Sequence, residues 1–274
     1  MIRLSAPYRM PSFLVLGFTL LAAAPAAMAS DVVLYGAGSL HDALSTIATA
    51  YTAKTGIAVR TSFGPSGLMR EKVEAGDKVD LFASADMGHA LKLQTDGKAA
   101  AVMMFTRNKL CVFAKPEVGL TAANFVERLT DPAVRIGTST PKADPGGDYT
   151  WAMFHLMDKA KPGAFAILDA KAQKVGGGST APSGPDPIAA AFAEGKINVM
   201  VGYCSGTEQR RKATPDLAAV EVPEPFATGP EYGLAIMRLD NADAIGLALA
   251  IEGPEGQAIL ARFGFAPIGL PAKP

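Results

Sequence analysis

The sequence predicts an α/β fold with mostly parallel sheets, arranged as two lobes. Three observations predict it. Strand-like and helix-like segments alternate along almost the whole chain. Twice near the start, an apolar strand runs into a glycine turn and then a helix that opens on a serine. And about 245 residues remain after a secretory signal, which suits two lobes of roughly 100–150 residues each.

The first strand lies in Asp31–Leu40, Asp-Val-Val-Leu-Tyr-Gly-Ala-Gly-Ser-Leu, and an amphipathic helix follows over Leu40–Tyr51. Val59–Phe63 is the second strand, Gly64-Pro65-Ser66-Gly67 a turn, and Leu68–Ala75 a helix. Asp80–Ser84 reads as a short buried strand with a helix over Met87–Gln94 behind it. Lys109–Ala114 is a strand, Asn124–Leu129 a short helix stopped by Asp131-Pro132, and Val134–Thr138 a strand. Pro145-Gly146-Gly147 leads into a helix over Asp148–Lys159, and Lys161–Ala172 is helical too. Gly176–Thr180 is a flexible loop. Pro187–Glu194 is a helix, Ile197–Cys204 a strand, Tyr232–Met237 a strand, and Asp243–Phe263 one or two helices.

The N-terminus predicts export. Arg3 and Arg9 precede the apolar run Phe13–Ala24, which is short for a membrane span, and Ala27-Met28-Ala29 fits cleavage before Ser30. No cysteine near that point would carry a lipid anchor. Hydrophobic residues make up 49% and charged residues 19%, enough apolar content for a large core. Loss of the signal removes Arg3 and Arg9 and no acid. The mature chain then holds 24 basic and 26 acidic residues, a net charge of −2. That argues against a nucleic-acid partner, yet not against a small anion held by one helix terminus. Three scattered histidines and two cysteines make no metal site. Cys111 and Cys204 lie in strand-like stretches of an exported chain, so they form a disulfide or stay as two buried thiols.

The chemistry concentrates in the two serine turns. A helix start offers unpaired N–H groups and about half a positive charge, and so binds anions. Ser39 and Ser66 each follow a glycine turn at the carboxyl end of a strand, where open α/β sheets hold ligands. Plain N-capping is the alternative reading of each. Gly36-Ala37-Gly38 lacks the third glycine of a dinucleotide fingerprint, and Gly64-Pro-Ser-Gly is neither a P-loop nor a nucleophile elbow. A Ser39–His41 pair would permit an exported serine hydrolase, though no acid is placed behind it.

Several segments together resemble the periplasmic molybdate-binding proteins of ABC transporters, within the type II solute-binding superfamily. They are Gly-Ala-Gly-Ser-Leu-His-Asp-Ala-Leu (36–44), Thr55-Gly-Ile-Ala-Val, Ser62-Phe-Gly-Pro-Ser-Gly (62–67) and Asp80-Leu-Phe-Ala-Ser-Ala-Asp (80–86). Pro145-Gly-Gly-Asp-Tyr (145–149), the Tyr203 strand and Phe263-Gly-Phe complete the set. The resemblance spans nearly the whole mature chain and is most specific over its first 60 residues. It implies a two-lobed type II periplasmic-binding fold with the ligand in the cleft. Signal peptide 1–29, lobe I over 30–108 and 230–274, and lobe II over 109–229 follow from it. It implies molybdate or tungstate as ligand, an inner-membrane ABC permease as partner, a periplasmic monomer, no cofactor, no resident metal and no catalysis. Carried over by residue, Ser39 and Ser66 offer hydroxyls and N–H groups, Gly146 and Ile188 offer backbone N–H groups, and Tyr203 offers its hydroxyl. Another small anion or carboxylate stays open as ligand, because the chain departs from the pattern. Pro65 lacks an N–H, and Cys204-Ser205-Gly206 follows Tyr203. The Gly176–Pro187 loop is rich in glycine and proline. Asp148 sits two residues beyond Gly146, either repelling an anion or serving as a first-turn helix acid. Tyr203 could equally be a buried aromatic at a strand end. Trp151 is expected to pack near the cleft rather than touch the ligand.

Overall fold

The computed structural model describes Met1 and residues 31–178 and 186–268. The remainder of the signal expected at 1–29, and the end of the Gly176–Thr180 loop, lie outside the described residues. The chain begins β1 (Val32–Ala37), a 3-10 turn (Gly38–Leu40), α1 (His41–Thr55), β2 (Val59–Gly64), α2 (Ser66–Ala75), β3 (Leu81–Ser84), α3 (Met87–Thr95) and β4 (Ala101–Arg107). It crosses at Asn108 into β5 (Leu110–Ala114), α4 (Phe125–Thr130), β6 (Ile136–Ser139), α5 (Pro145–Ala160), α6 (Ala164–Lys171) and β7 (Gln173–Gly176). There follow α7 (Pro187–Ala193), β8 (Val199–Tyr203), α8 (Thr207–Ala213) and β9 (Ala218–Glu221). The chain then returns to β10 (Glu231–Ile236), α9 (Ala242–Glu252), α10 (Pro254–Arg262) and β11 (Ala266–Pro267).

Two sheets result, ordered β11-β4-β10-β3-β1-β2 and β7-β6-β8-β5-β9. Each has its own core, which is why two lobes form. Leu34, Leu44, Leu81, Phe105 and Leu234 are buried on one face of the first sheet, and Phe82 and Leu93 on the other. Val112, Val201, Phe125 and Phe154 fill one side of the second sheet, and Phe113, Phe192 and Met200 the other.

The sheets are mixed, which corrects the expectation of mostly parallel ones. β2–β1–β3 and β7–β6–β8 are parallel, whereas β10 pairs antiparallel with β3 and β4, and β5 pairs antiparallel with β8 and β9. A strand arriving from the other lobe needs no crossover helix, so it can enter antiparallel. The parallel triplets matter most for the site. β1 and β2 run in register from Val32↔Val59 to Ala37↔Gly64. Their carboxyl ends therefore release Gly38-Ser39 and Pro65-Ser66 side by side.

Candidate functional site

A cavity of about 310 Å³ lies between the lobes, and Ser39, Ser66, Gly146, Ile188 and Tyr203 all line it. The two walls differ in chemistry. On lobe I, neither α1 nor α2 has a side-chain cap, so their starts are not closed by the chain's own acids. Ser66 is fully buried. Its Oγ accepts from the Ala85 N–H at 3.0 Å, which leaves its O–H free to donate. Ser39 Oγ lies 3.1 Å from the Tyr232 hydroxyl. Asn108 Nδ2 donates to that hydroxyl at 3.1 Å and to Ser205 Oγ at 2.8 Å. Ser39 is thereby tied to the crossover between lobes. Burial pushes the Tyr232 phenol far up, so it stays neutral.

On lobe II the helix starts are closed by carboxylates. Asp144 Oδ1 accepts from the Gly146 N–H, and Asp186 Oδ1 from the Ile188 N–H, each at 2.9 Å. The two backbone donors expected to face an oxyanion, Gly146 and Ile188, are thus each bonded to a protein acid in this structure. Asp186 Oδ2 also meets Arg210 Nη1 at 2.7 Å. Burial pushes the Asp144 carboxyl up, against the lowering effect of the Gly146 N–H and the Ser139 hydroxyl. Both helices open Asp-Pro, Asp144-Pro145 and Asp186-Pro187. Aspartate at the cap with proline at the first helical position is a readable start signal, and it would have found both acids.

Asp148, the acid that raised doubt, points elsewhere. Its carboxylate accepts from the Lys142 N–H at 3.0 and 3.2 Å and does not line the cavity. Trp151 lies at the α5–α6 contact rather than at the cleft. It packs on Phe154 and donates to Asp169 Oδ1 at 2.9 Å, which corrects its expected place. The serine–histidine pair is not assembled. His41 Nδ1 bonds Asp42 Oδ1 at 2.7 Å and is exposed, and the Ser39 hydroxyl has Tyr232 as partner instead. Among the described residues no group of three or more His, Cys, Asp and Glu is placed to hold a metal ion, and no helix is long and apolar enough to cross a membrane.

Tyr203 ends β8 and packs against the cores of both lobes. Its hydroxyl is buried and makes no hydrogen bond of good geometry among the described residues, although it lies close enough to the Tyr232 hydroxyl to lower that phenol's pKa. Burial raises its pKa well above the usual phenol range, so it remains a donor. A buried hydroxyl without a partner costs about 1–3 kcal/mol. Tyr203→Phe is therefore expected to leave ligand-free stability unchanged or up to about 1 kcal/mol higher, while weakening ligand binding. Melting curves with and without ligand check this. A clear loss of ligand-free stability would mean the hydroxyl already has a protein partner.

The profile of the bacterial extracellular solute-binding proteins matches residues 32–266. An uncharacterized Pasteurella multocida protein, PM1146, is 32% identical over 239 residues, spanning 85% of this chain and 98% of its own. The molybdate-binding protein ModA of Escherichia coli is 25% identical over 243 residues, 85% of this chain and 88% of its own. Among solved structures, the sulfate-binding protein SubI of Mycobacterium tuberculosis superposes with a TM-score of 0.69 at 17% identity, covering 88% of each chain. That last likeness is one of fold.

Proposed function

This chain belongs to the bacterial extracellular solute-binding proteins, and from that premise we propose that it captures a small anion in the cleft and delivers it to an inner-membrane ABC permease. One observation carries the reading. Two uncapped helix starts bearing Ser39 and Ser66 leave adjacent parallel strands and meet the Tyr203 hydroxyl, unpartnered among the described residues, on a single cavity. Neutral donors of this kind hold a tetrahedral oxyanion without a fixed counter-charge and release it again. The ligand-binding set is Ser39, Ser66 and Tyr203, with Gly146 and Ile188 contributing only where the ligand displaces the Asp144 and Asp186 caps. Molybdate or tungstate is the ligand that the sequence resemblance and the Escherichia coli relative favour. A different small anion is the second reading, and the carboxylates on the lobe II wall favour it.

A thermal-shift series on the mature protein with molybdate, tungstate, sulfate, phosphate and small carboxylates tests the reading. A ligand at about a thousand times its dissociation constant stabilises by roughly 4 kcal/mol. Ser39→Ala and Ser66→Ala are each expected to weaken binding by about 1–3 kcal/mol, as for hydrogen bonds to a charged group. If both variants bind as tightly as the parent, the ligand sits elsewhere.

A further inference from the structure

We propose that Asp144 makes this cavity select anions that carry an O–H donor of their own over oxyanions that carry none. Monohydrogen phosphate, or a hydroxylated organic acid or phosphate, belongs to the first class. Sulfate and molybdate, fully ionised at neutral pH, belong to the second. The inference rests on the cleft being the anion site.

The two walls of the cavity differ in charge. Lobe I lines the cavity with no ionisable side chain among the described residues. Lobe II lines it with Asp144, Asp186 and Arg210, and Arg210 is already neutralised by Asp186 at 2.7 Å. Asp144 faces the ligand with no cation paired to it among the described residues, and the Gly146 N–H keeps its Oδ1 turned as an acceptor. A carboxylate has about four acceptor sites. The Gly146 N–H and the Ser139 hydroxyl use only part of that capacity.

Such an acceptor demands a donor from the ligand. Two anions facing each other without a shared proton repel, and burial enlarges the cost. An anion with its own O–H turns that contact into a charge-assisted hydrogen bond. A donor-bearing ligand can then place its negative end against Ser39 and Ser66 and its O–H against Asp144. The buried Tyr203 hydroxyl, unpartnered among the described residues and beside Gly146, supplies a donor to the same ligand. Size agrees. A cavity of about 310 Å³ is at the lower end of the ~300–1,000 Å³ typical of organic-ligand sites, so it admits a short hydroxylated tail.

The test is equilibrium binding to the full mature protein at neutral pH, with sodium phosphate, glycerol 3-phosphate, glycerate, sulfate and molybdate as probes. At least one donor-bearing anion is expected to bind about tenfold or more tightly than both sulfate and molybdate. Inorganic phosphate against glycerol 3-phosphate and glycerate shows whether the O–H belongs to the phosphate or to an organic tail. Asp144→Asn and Asp144→Ser both keep a good helix cap. Each is expected to bring the ratio towards one, by weakening the donor-bearing anions and strengthening sulfate. Tighter binding of molybdate or sulfate by the parent overturns the inference and leaves the anion-capture reading standing. A ratio unchanged in a folded variant overturns it as well. Absence of binding by every anion overturns both. The parent's own ratio decides even if neither variant folds.

Discussion

Replacing Cys111 and Cys204 with alanine is expected to lower stability by roughly 4–5 kcal/mol, the largest loss foreseen from any pair of small changes in this chain. The bridge is formed in the structure, across a separation of 93 residues. Reduction frees that loop in the unfolded chain, and loop-closure entropy grows with its length. For a domain of this size, the melting temperature should fall by about 8–20 °C. The bridge also has a local consequence. Cys111 pairs in register with Gly202, and the Cys204 N–H donates to the Lys109 carbonyl, so the bridge clamps the end of β8 beside Tyr203. The variant should therefore lose ligand affinity as well. Melting within about 2 °C of the parent would remove the bridge from the account of stability.

The sequence left this pair open, because cysteine in an apolar strand reads equally well as a buried thiol. The antiparallel pairing of β5 with β8 within the lobe II sheet was the missing information. The same limit explains the elements that sequence patterning overlooked. β4 is an Ala-Val-Met-Met-Phe run whose alanine and methionines give little strand signal, yet it pairs with both β10 and β11. α8 has no buried residue, so it shows no apolar stripe to read. The span Asp243–Phe263 resolves into α9 and α10 at Gly253-Pro254, where proline ends one helix pattern and starts the next.

That the five candidate residues share one cavity was more legible than the sheets. Each of them sits at a strand or helix end, and the local turn chemistry that marks such ends is written in the sequence. What patterning missed was the sign of the lobe II wall. The sequence pattern points to Asp148, one turn inside α5, whereas the acid facing the cavity is the cap, Asp144. Helix geometry explains the difference. A cap side chain folds back over the first N–H groups, towards whatever the helix start faces. A first-turn acid leaves from the helix side, and Asp148 accordingly reaches Lys142.

Gly67→Ala is expected to cut ligand affinity about 5- to 150-fold without lowering ligand-free stability. Gly67 lies within α2, so its need for glycine is one of close approach rather than backbone conformation. Its N–H donates to the Ala143 carbonyl at 3.0 Å, joining lobe I to the loop ahead of α5 on lobe II. A Cβ there would stand 2.6 Å from the Lys142 carbonyl oxygen and 2.9 Å from that of Ala143. Both are backbone atoms and cannot swing aside. We expect ligand-free molecules to part at this contact, so that overpacking of about 1–3 kcal/mol falls on the form with the lobes together. Alanine is a better helix residue than glycine, and that gain applies to open and closed forms equally. Binding selects the closed form, so its apparent affinity falls with the closed population. Calorimetry gives the affinity. Small-angle scattering gives the second readout, since saturating ligand should contract the parent more than the variant. Parent-like affinity with parent-like contraction would show that Gly67 does not sit at the closing contact.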